Sequence, residues 1–146
     1  MDRPFERVFT VTDYWDGPRA GVAEFGGAPH VYRSVFRDDL DDWDPDQFEL
    51  SPISAEVLAD ALEDWAIFLR WRAAFDAGRT MRETHPALPE DAARHRELAS
   101  FLGRALRIDP ARRALARGTF RVREDSGAER SSGVLRPLEV QWTAVG

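Results

Sequence analysis

The chain has no cysteine, no lysine and no asparagine among its 146 residues. Without cysteine, disulfides, thiolate catalysis and cysteine-ligated zinc are excluded. The joint absence of lysine and asparagine indicates a GC-rich genome, since both residues need AT-rich codons and no demand for arginine chemistry explains the loss of asparagine. Every basic side chain other than histidine is therefore arginine, a planar and permanently charged group.

Long apolar runs are also missing, and no stretch approaches the roughly 18–20 residues that span a bilayer. The first residues lack the basic and apolar regions of a secretory signal. An apolar fraction of 43% with five tryptophans is typical of a packed globule. We therefore expect a single globular domain over 1–146, located in the cytoplasm and not associated with a membrane.

The charge is distributed unevenly. Residues 1–65 carry five arginines and sixteen acids, a balance of −11, whereas residues 66–146 carry fifteen arginines and ten acids, a balance of +5. Such sorting predicts an acidic side and a basic side, and fields of this kind steer partners.

The sequence pattern predicts strands at both ends of the chain and helices between them. β-branched and aromatic residues predict an N-terminal antiparallel meander, because the turns at Asp16–Gly17 and Gly26–Gly27 are too short for parallel crossovers. The predicted strands are 7–12, 20–25, 31–36, a short 47–50, and the closing pair 119–123 and 138–145.

Apolar residues at helical spacing predict two main helices, over 52–77 and 90–107. Asp109–Pro110 is a cap-and-proline signal that predicts a further short helix to about Arg117. The polar segment 124–136 is predicted to be a mobile loop. The fold class is thus α+β: an antiparallel sheet of about five to six strands, from the N-terminal meander and a C-terminal hairpin, with the two main helices packed on one face.

The acidic segment 38–46, predicted to be a surface loop, is the first candidate site, with six aspartates within nine residues around one tryptophan. Clustered carboxylates can bind Ca²⁺, but the spacing differs from that of the twelve-residue calcium loop. The other interpretations are an inert solvated loop and a surface that docks a basic partner. The partner-binding candidates are Asp38, Asp39, Asp41, Asp42, Trp43, Asp44 and Asp46.

A tight turn is the second candidate, because it combines two aromatic rings, a carboxylate and a guanidinium. The possible pocket comprises Tyr14, Trp15, Asp16 and Arg19 with His30 and Tyr32 from a later strand. The alternative is that the aromatic rings only close the end of the sheet. No Gly-x-Ser-x-Gly elbow, phosphate loop or His pair at metalloprotease spacing is present, so no catalytic residue, metal or cofactor is predicted.

Two features suggest that the chain associates with a second copy of itself or with another molecule. The segment Trp65–Trp71 is apolar nearly all round, so it packs against the following helix or, in a homodimer, against a second copy. The arginine-rich second half suits nucleic acid or the acidic half of another copy, but a pI near 5.1 disfavours nucleic acid.

Three segments resemble a family of small uncharacterised bacterial proteins. They are Val11–Arg19, Ala61–Trp65 and Thr84–Pro89. The resemblance extends over most of the chain and implies a bacterial, single-domain protein. It implies no activity, ligand or catalytic residue.

The sequence favours a non-enzymatic cytoplasmic binding protein whose acidic N-terminal half docks a basic protein surface, in the manner of an immunity protein, an antitoxin or an adaptor. One alternative is a small enzyme or ligand-binding domain with a pocket near Tyr14–Arg19 and His30. Another is a structural homodimer formed through the Trp65–Trp71 helix. Convergence of the possible pocket residues on one cavity would favour the enzyme.

Overall fold

A computed structural model describes residues 3–123 and 137–145. The segment 124–136, predicted to be a mobile loop, lies outside these residues. The chain divides into two compact units. One contains the described residues of Met1–Ser54 and Arg107–Gly146, and the other is Ala55–Leu106.

The first unit is a six-stranded antiparallel barrel in which each strand pairs with the next along the chain. The strands are β1 (Glu6–Tyr14), β2 (Pro18–Phe25), β3 (Ala28–Arg37), β4 (Asp42–Pro52), β5 (Ala114–Val122) and β6 (Leu138–Ala144). The predicted antiparallel sheet of about six strands is confirmed. Its closure into a barrel, through the pairs Glu6–Val140 and Arg7–Glu139, was not predicted.

Aromatic side chains fill the inside of the barrel. The rings of Phe48 and Phe120 meet that of Trp142 nearly edge-on, with centroids 5.6 and 5.9 Å apart, an arrangement that aromatic pairs favour. The core cluster is Ala23, Tyr32, Phe48, Leu50, Ala116, Val140 and Trp142.

The two polar ring groups of this core are hydrogen-bonded. The Tyr32 hydroxyl donates to the carbonyl oxygen of Thr10 at 3.0 Å, and the Trp142 indole nitrogen donates to that of Glu24 at 2.7 Å. Burial without such partners would cost free energy. Burial also raises the pKa of the Tyr32 phenol, so this group stays protonated at neutral pH.

Two interior glycines make room for these rings. A Cβ atom on Gly118 would lie 2.7 Å from the Trp142 ring, and one on Gly21 would overlap the carbonyl of Thr10 and the hydroxyl of Tyr32. The barrel is therefore packed to its axis by large rings facing small residues.

The second unit contains the two predicted main helices, α1 (Ala55–Asp76) and α2 (Ala92–Ala105), which are confirmed with slightly shorter bounds. Two contacts link adjacent residues of α1 to adjacent residues of α2. Glu63 forms an ion pair with Arg94 at 2.6 Å, and the Asp64 carboxylate lies 2.6 Å from Nδ1 of His95. A further ion pair joins Arg70 of α1 to Asp91, the residue before α2. None of the helices in the described ranges has the length and apolar character needed to cross a bilayer.

Two local predictions are wrong. The expected helix after Asp109 is a single turn, Pro110–Arg112, and β5 begins at Ala114. The Asp109 carboxylate accepts a hydrogen bond from the amide of Ala111 at 3.0 Å, which caps that turn. The four consecutive residues Ala114 to Arg117 then pair with β4. The acidic segment is also not all loop, because its residues from Asp42 onward belong to β4.

Candidate functional site

The two candidate segments of the sequence lie at one end of the barrel. In an antiparallel meander, the first and third turns share an end, and here these are the β1–β2 turn at 15–17 and the β3–β4 turn at 38–41. We call residues 13–19 and 36–46 the acidic–aromatic end.

Arg19 joins the two segments. Its side chain is buried, with 6% of the residue exposed. Its Nε donates to the carbonyl of Trp15 at 2.6 Å and its Nη2 to that of Asp16 at 3.0 Å. Its Nη1 donates to the carbonyls of Asp44 at 3.2 Å and Pro45 at 3.4 Å. One guanidinium thus fixes the first turn onto the start of β4, using the several donors that only arginine offers in one plane.

Asp44 is the inward-facing acid of the segment. Its Oδ1 accepts from the amides of Asp46 at 3.0 Å and Gln47 at 2.9 Å, and its Oδ2 accepts from Arg37 at 3.1 Å. Burial raises the pKa of the Asp44 carboxyl, but these hydrogen bonds outweigh burial, so the pKa lies below its ordinary value. Asp44, predicted to bind a partner, thus holds the start of its own strand through two amides and Arg37.

Asp44→Asn should show a pH-dependent loss of stability. A carboxyl whose pKa is lowered by folding stabilises the fold above its ordinary pKa of about 4, and this contribution disappears as the pH falls through the lower folded-state value. We expect Asp44→Asn to lose about 2 kcal/mol of unfolding free energy at neutral pH, since hydrogen bonds to charged groups are the strong ones. Urea unfolding between about pH 3 and pH 7 measures the difference, which should shrink toward the acid limit.

Asp38→Asn is the control for that experiment, because Asp38 is exposed and has no ion pair within the described ranges. Its unfolding free energy should stay close to that of the unmodified protein at every pH. A destabilisation by Asp44→Asn that is constant with pH would contradict the assignment of a charged Asp44.

Three acids of the candidate set are paired with arginines of the same chain. Arg37 binds Asp39 at 2.6 Å as well as Asp44, and Arg117 binds Asp46 at 2.8 Å. Hydrogen bonding to Arg37 lowers the pKa of Asp39, and the two acids raise the pKa of Arg37. Half of the predicted acidic set is therefore neutralised internally.

The other three acids of the set, Asp38, Asp41 and Asp42, are exposed and form no ion pair with any residue that the structure describes. Asp42 accepts a hydrogen bond from the amide of Trp43 at 2.7 Å. Asp41 has a φ of 50°, a left-handed conformation that aspartate and asparagine tolerate better than most residues. These carboxylates remain open to an external cation.

Exposed apolar side chains lie beside these acids. Trp15 is 68% exposed, and Tyr14, Phe36 and Leu40 are each about half exposed. Trp43, the aromatic residue at the centre of the predicted acidic site, is half-buried with its ring edge-on to Phe36, 5.2 Å between centroids. Phe36 and Leu40 were missed by sequence reasoning, since Phe36 follows the alternation of a buried strand and only the register shift after Ser34 exposes it.

The six residues of the possible pocket occupy three places. Four of them, Tyr14 to Asp16 and Arg19, lie at the acidic–aromatic end. Tyr32 lies inside the barrel. His30 pairs with Ala23 and Pro52, its Nδ1 is 2.9 Å from the carbonyl of Ala28, and its ring contacts Phe25.

The second unit, Ala55–Leu106, which we call the helical unit, contains the Trp65–Trp71 segment that was predicted to pack against another helix or a second copy. The rings of Trp65, Phe68, Trp71 and Phe75 follow one another along α1 with centroids 5.0 to 6.2 Å apart. The Trp71 indole donates to the Thr84 hydroxyl at 2.8 Å, and His85 meets the Trp71 ring edge-on at 4.7 Å. No group of three metal-ligating side chains occurs within residues 3–123 and 137–145.

No protein-family model matches this chain, and neither do any curated proteins or solved structures. The resemblance of three segments to small bacterial proteins therefore stays an expectation. Any function has to be argued from the geometry of the acidic–aromatic end itself.

Proposed function

We propose that this chain is a non-enzymatic binding protein whose acidic–aromatic end docks a basic surface of another protein. One observation carries the proposal: four exposed apolar side chains, Tyr14, Trp15, Phe36 and Leu40, lie at the same barrel end as three acids that the described residues leave without an ion pair. Exposed aromatic groups among charges are typical of protein interfaces.

The charge of this end supports a basic partner. Residues 13–19 and 36–46 carry eight aspartates and two arginines, and Arg117 adds a third positive charge from β5, which leaves a net charge of −5. A surface of one sign raises the rate at which oppositely charged partners meet it, and the effect weakens with salt. The negative field therefore accounts for attraction, and the aromatic side chains for retention.

The rigidity of this end supports binding without a large ordering cost. Arg19 fixes the Trp15–Gly17 turn through two carbonyls, and Asp44 fixes the start of β4 through two amides. Side chains presented by ordered turns lose less conformational entropy on association than side chains on loose loops. Tyr32 and His30 lie away from this end, which favours a docking surface over a catalytic pocket.

A role in neutralising or adapting a basic protein suits this arrangement. Such a role needs a persistent charged surface with an apolar anchor and no chemistry at the site. This step is an analogy between sites and uses no likeness of fold.

A charge-matched comparison tests the proposal. The triple variant Asp38→Asn, Asp41→Asn, Asp42→Asn removes the three open acids, and asparagine accommodates the positive φ at position 41. The control triple variant Glu56→Gln, Glu83→Gln, Glu90→Gln removes the same charge from exposed positions of the helical unit. Proteins retained from a bacterial lysate at low salt are purified and their association rates measured.

We expect the aspartate triple variant to slow association about tenfold at low ionic strength, the lower range for electrostatic steering, and to flatten its salt dependence. The control should associate like the unmodified protein. An equally slow association of both triple variants would mean that only the net charge of the protein matters. An unchanged association rate of the aspartate triple variant would overturn the proposal.

A further inference from the structure

This chain repeatedly holds an arginine between an aromatic ring and a carboxylate. The guanidinium carbon of Arg121 lies 3.5 Å from the centroid of the Phe5 ring, while its Nε binds Glu139 at 2.6 Å. Arg72 lies 5.9 Å from the Phe75 ring and binds Asp76 at 3.2 Å. A ring can attract the cation at the face of the guanidinium while a carboxylate binds the N–H groups at its edge, so the two contacts do not compete.

The acidic–aromatic end has the ring and the carboxylate without the guanidinium. Trp15 is the most exposed aromatic residue there, and Asp16 follows it directly. Within the part of the chain that the structure describes, no arginine lies over the ring of Tyr14, Trp15 or Phe36. The two nearby arginines are engaged elsewhere, Arg19 with four carbonyls and Arg37 with two carboxylates.

Resting on the proposed function, we infer that the docking segment of the basic partner presents arginine rather than lysine, and that one guanidinium stacks on Trp15. Arginine is weakly hydrated and planar, so it keeps its contacts with carboxylates while its face covers a ring. Lysine is a compact, strongly hydrated charge, which the acids attract equally but the ring holds less well. The acids thus attract any basic segment, and the aromatic ring of Trp15 makes the site selective for arginine over lysine.

Two labelled peptides test this inference. Both have the same length and the same Gly/Ser spacers, and they carry either three arginines or three lysines. Fluorescence anisotropy with the full chain at low ionic strength gives their affinities. We expect the arginine peptide to bind about three- to fivefold more tightly, the effect of one exposed cation–π contact.

Trp15→Ala should bring the ratio of the two affinities to about one. The fold should persist, because Arg19 donates to the carbonyl of Trp15, which alanine retains, and circular dichroism verifies this. Met81→Ala is the matched control, since Met81 is also 68% exposed but lies in the helical unit. It should leave both affinities and their ratio unchanged.

The aspartate triple variant separates this inference from the proposed function. It should weaken both peptides and preserve the arginine preference. Equal affinities of the two peptides, both weakened by the triple variant, would overturn the arginine inference and leave the docking proposal standing. A preference that survives Trp15→Ala would also overturn the inference. Absence of binding by either peptide, or binding that the triple variant does not affect, would overturn both.

Discussion

Gly21→Ala should prevent the barrel from reaching its packed state. We expect this substitution to have the largest effect on stability. A Cβ atom at this position would overlap the backbone carbonyl of Thr10 and would lie 2.7 Å from the hydroxyl of Tyr32. The same two atoms form the hydrogen bond that satisfies the buried phenol, so neither can withdraw without losing a buried contact. We expect a loss of at least about 3 kcal/mol, the upper part of the range for overpacked cores.

Gly103→Ala is the same substitution, but we expect it to raise the free energy of unfolding and not to lower it. Gly103 lies in α2, and a Cβ atom there would meet no atom within 4 Å apart from its chain neighbours and the nearby backbone of its own helix. Alanine should stabilise the helix by about 0.5–1 kcal/mol, because glycine carries a larger conformational entropy cost in a helix interior. Thermal unfolding of both variants, followed by near-ultraviolet circular dichroism of the buried tryptophans, measures the two effects. A Gly21→Ala protein as stable as the original would contradict the close packing of Thr10 and Tyr32 around position 21.

Most strands and both main helices could be predicted because their signals are local. β-branched and aromatic alternation marked β1 to β3, and helical spacing of apolar residues marked α1. Barrel closure could not be predicted in this way, because its pairs join Glu6 to Val140 and Arg7 to Glu139 across most of the chain. The start of β5 was missed for a related reason: Ala114–Arg117 has good helical propensity, and only its pairing with β4 makes it a strand.

The acidic–aromatic end was predicted as two separate sites. Local composition identified the aspartate cluster and the Tyr14–Arg19 turn, but only the meander brings them to the same end. Composition also could not distinguish the inward Asp44 from the outward Asp38, since that depends on which backbone amides each carboxylate faces. Composition gave no sign that Trp15 would be more exposed than Trp43, since that difference depends on the pairing of Phe36 with Trp43, whose rings meet edge-on.

Arg19 links the two segments within the described residues, and its replacement gives the second large effect. Arg19 donates to four carbonyls, two in the first turn and two at the start of β4. Arg19→Met keeps much of the side-chain volume but leaves those acceptors without their donor. We expect a loss of about 3 kcal/mol of unfolding free energy, since each orphaned buried acceptor costs about 1–3 kcal/mol and some regain water.

Arg19 is a positioning residue in this account, so its replacement should also act on binding. Once the guanidinium is gone, the Trp15–Gly17 turn is no longer tied to β4, and the arginine peptide should lose its advantage over the lysine peptide even under conditions where the variant remains folded. Arg19→Lys should recover only part of the stability, because one ammonium cannot reach both segments in the plane that the guanidinium spans. Arg33→Met is the control: Arg33 is exposed and pairs with Glu49 at 3.3 Å on the barrel wall, and such surface pairs contribute little. Arg33→Met and Arg19→Met could have the same effect on the unfolding free energy and on the ratio of the two peptide affinities. That result would show that Arg19 does not hold the two turns together, and it would contradict the interpretation of the acidic–aromatic end as one preorganised surface.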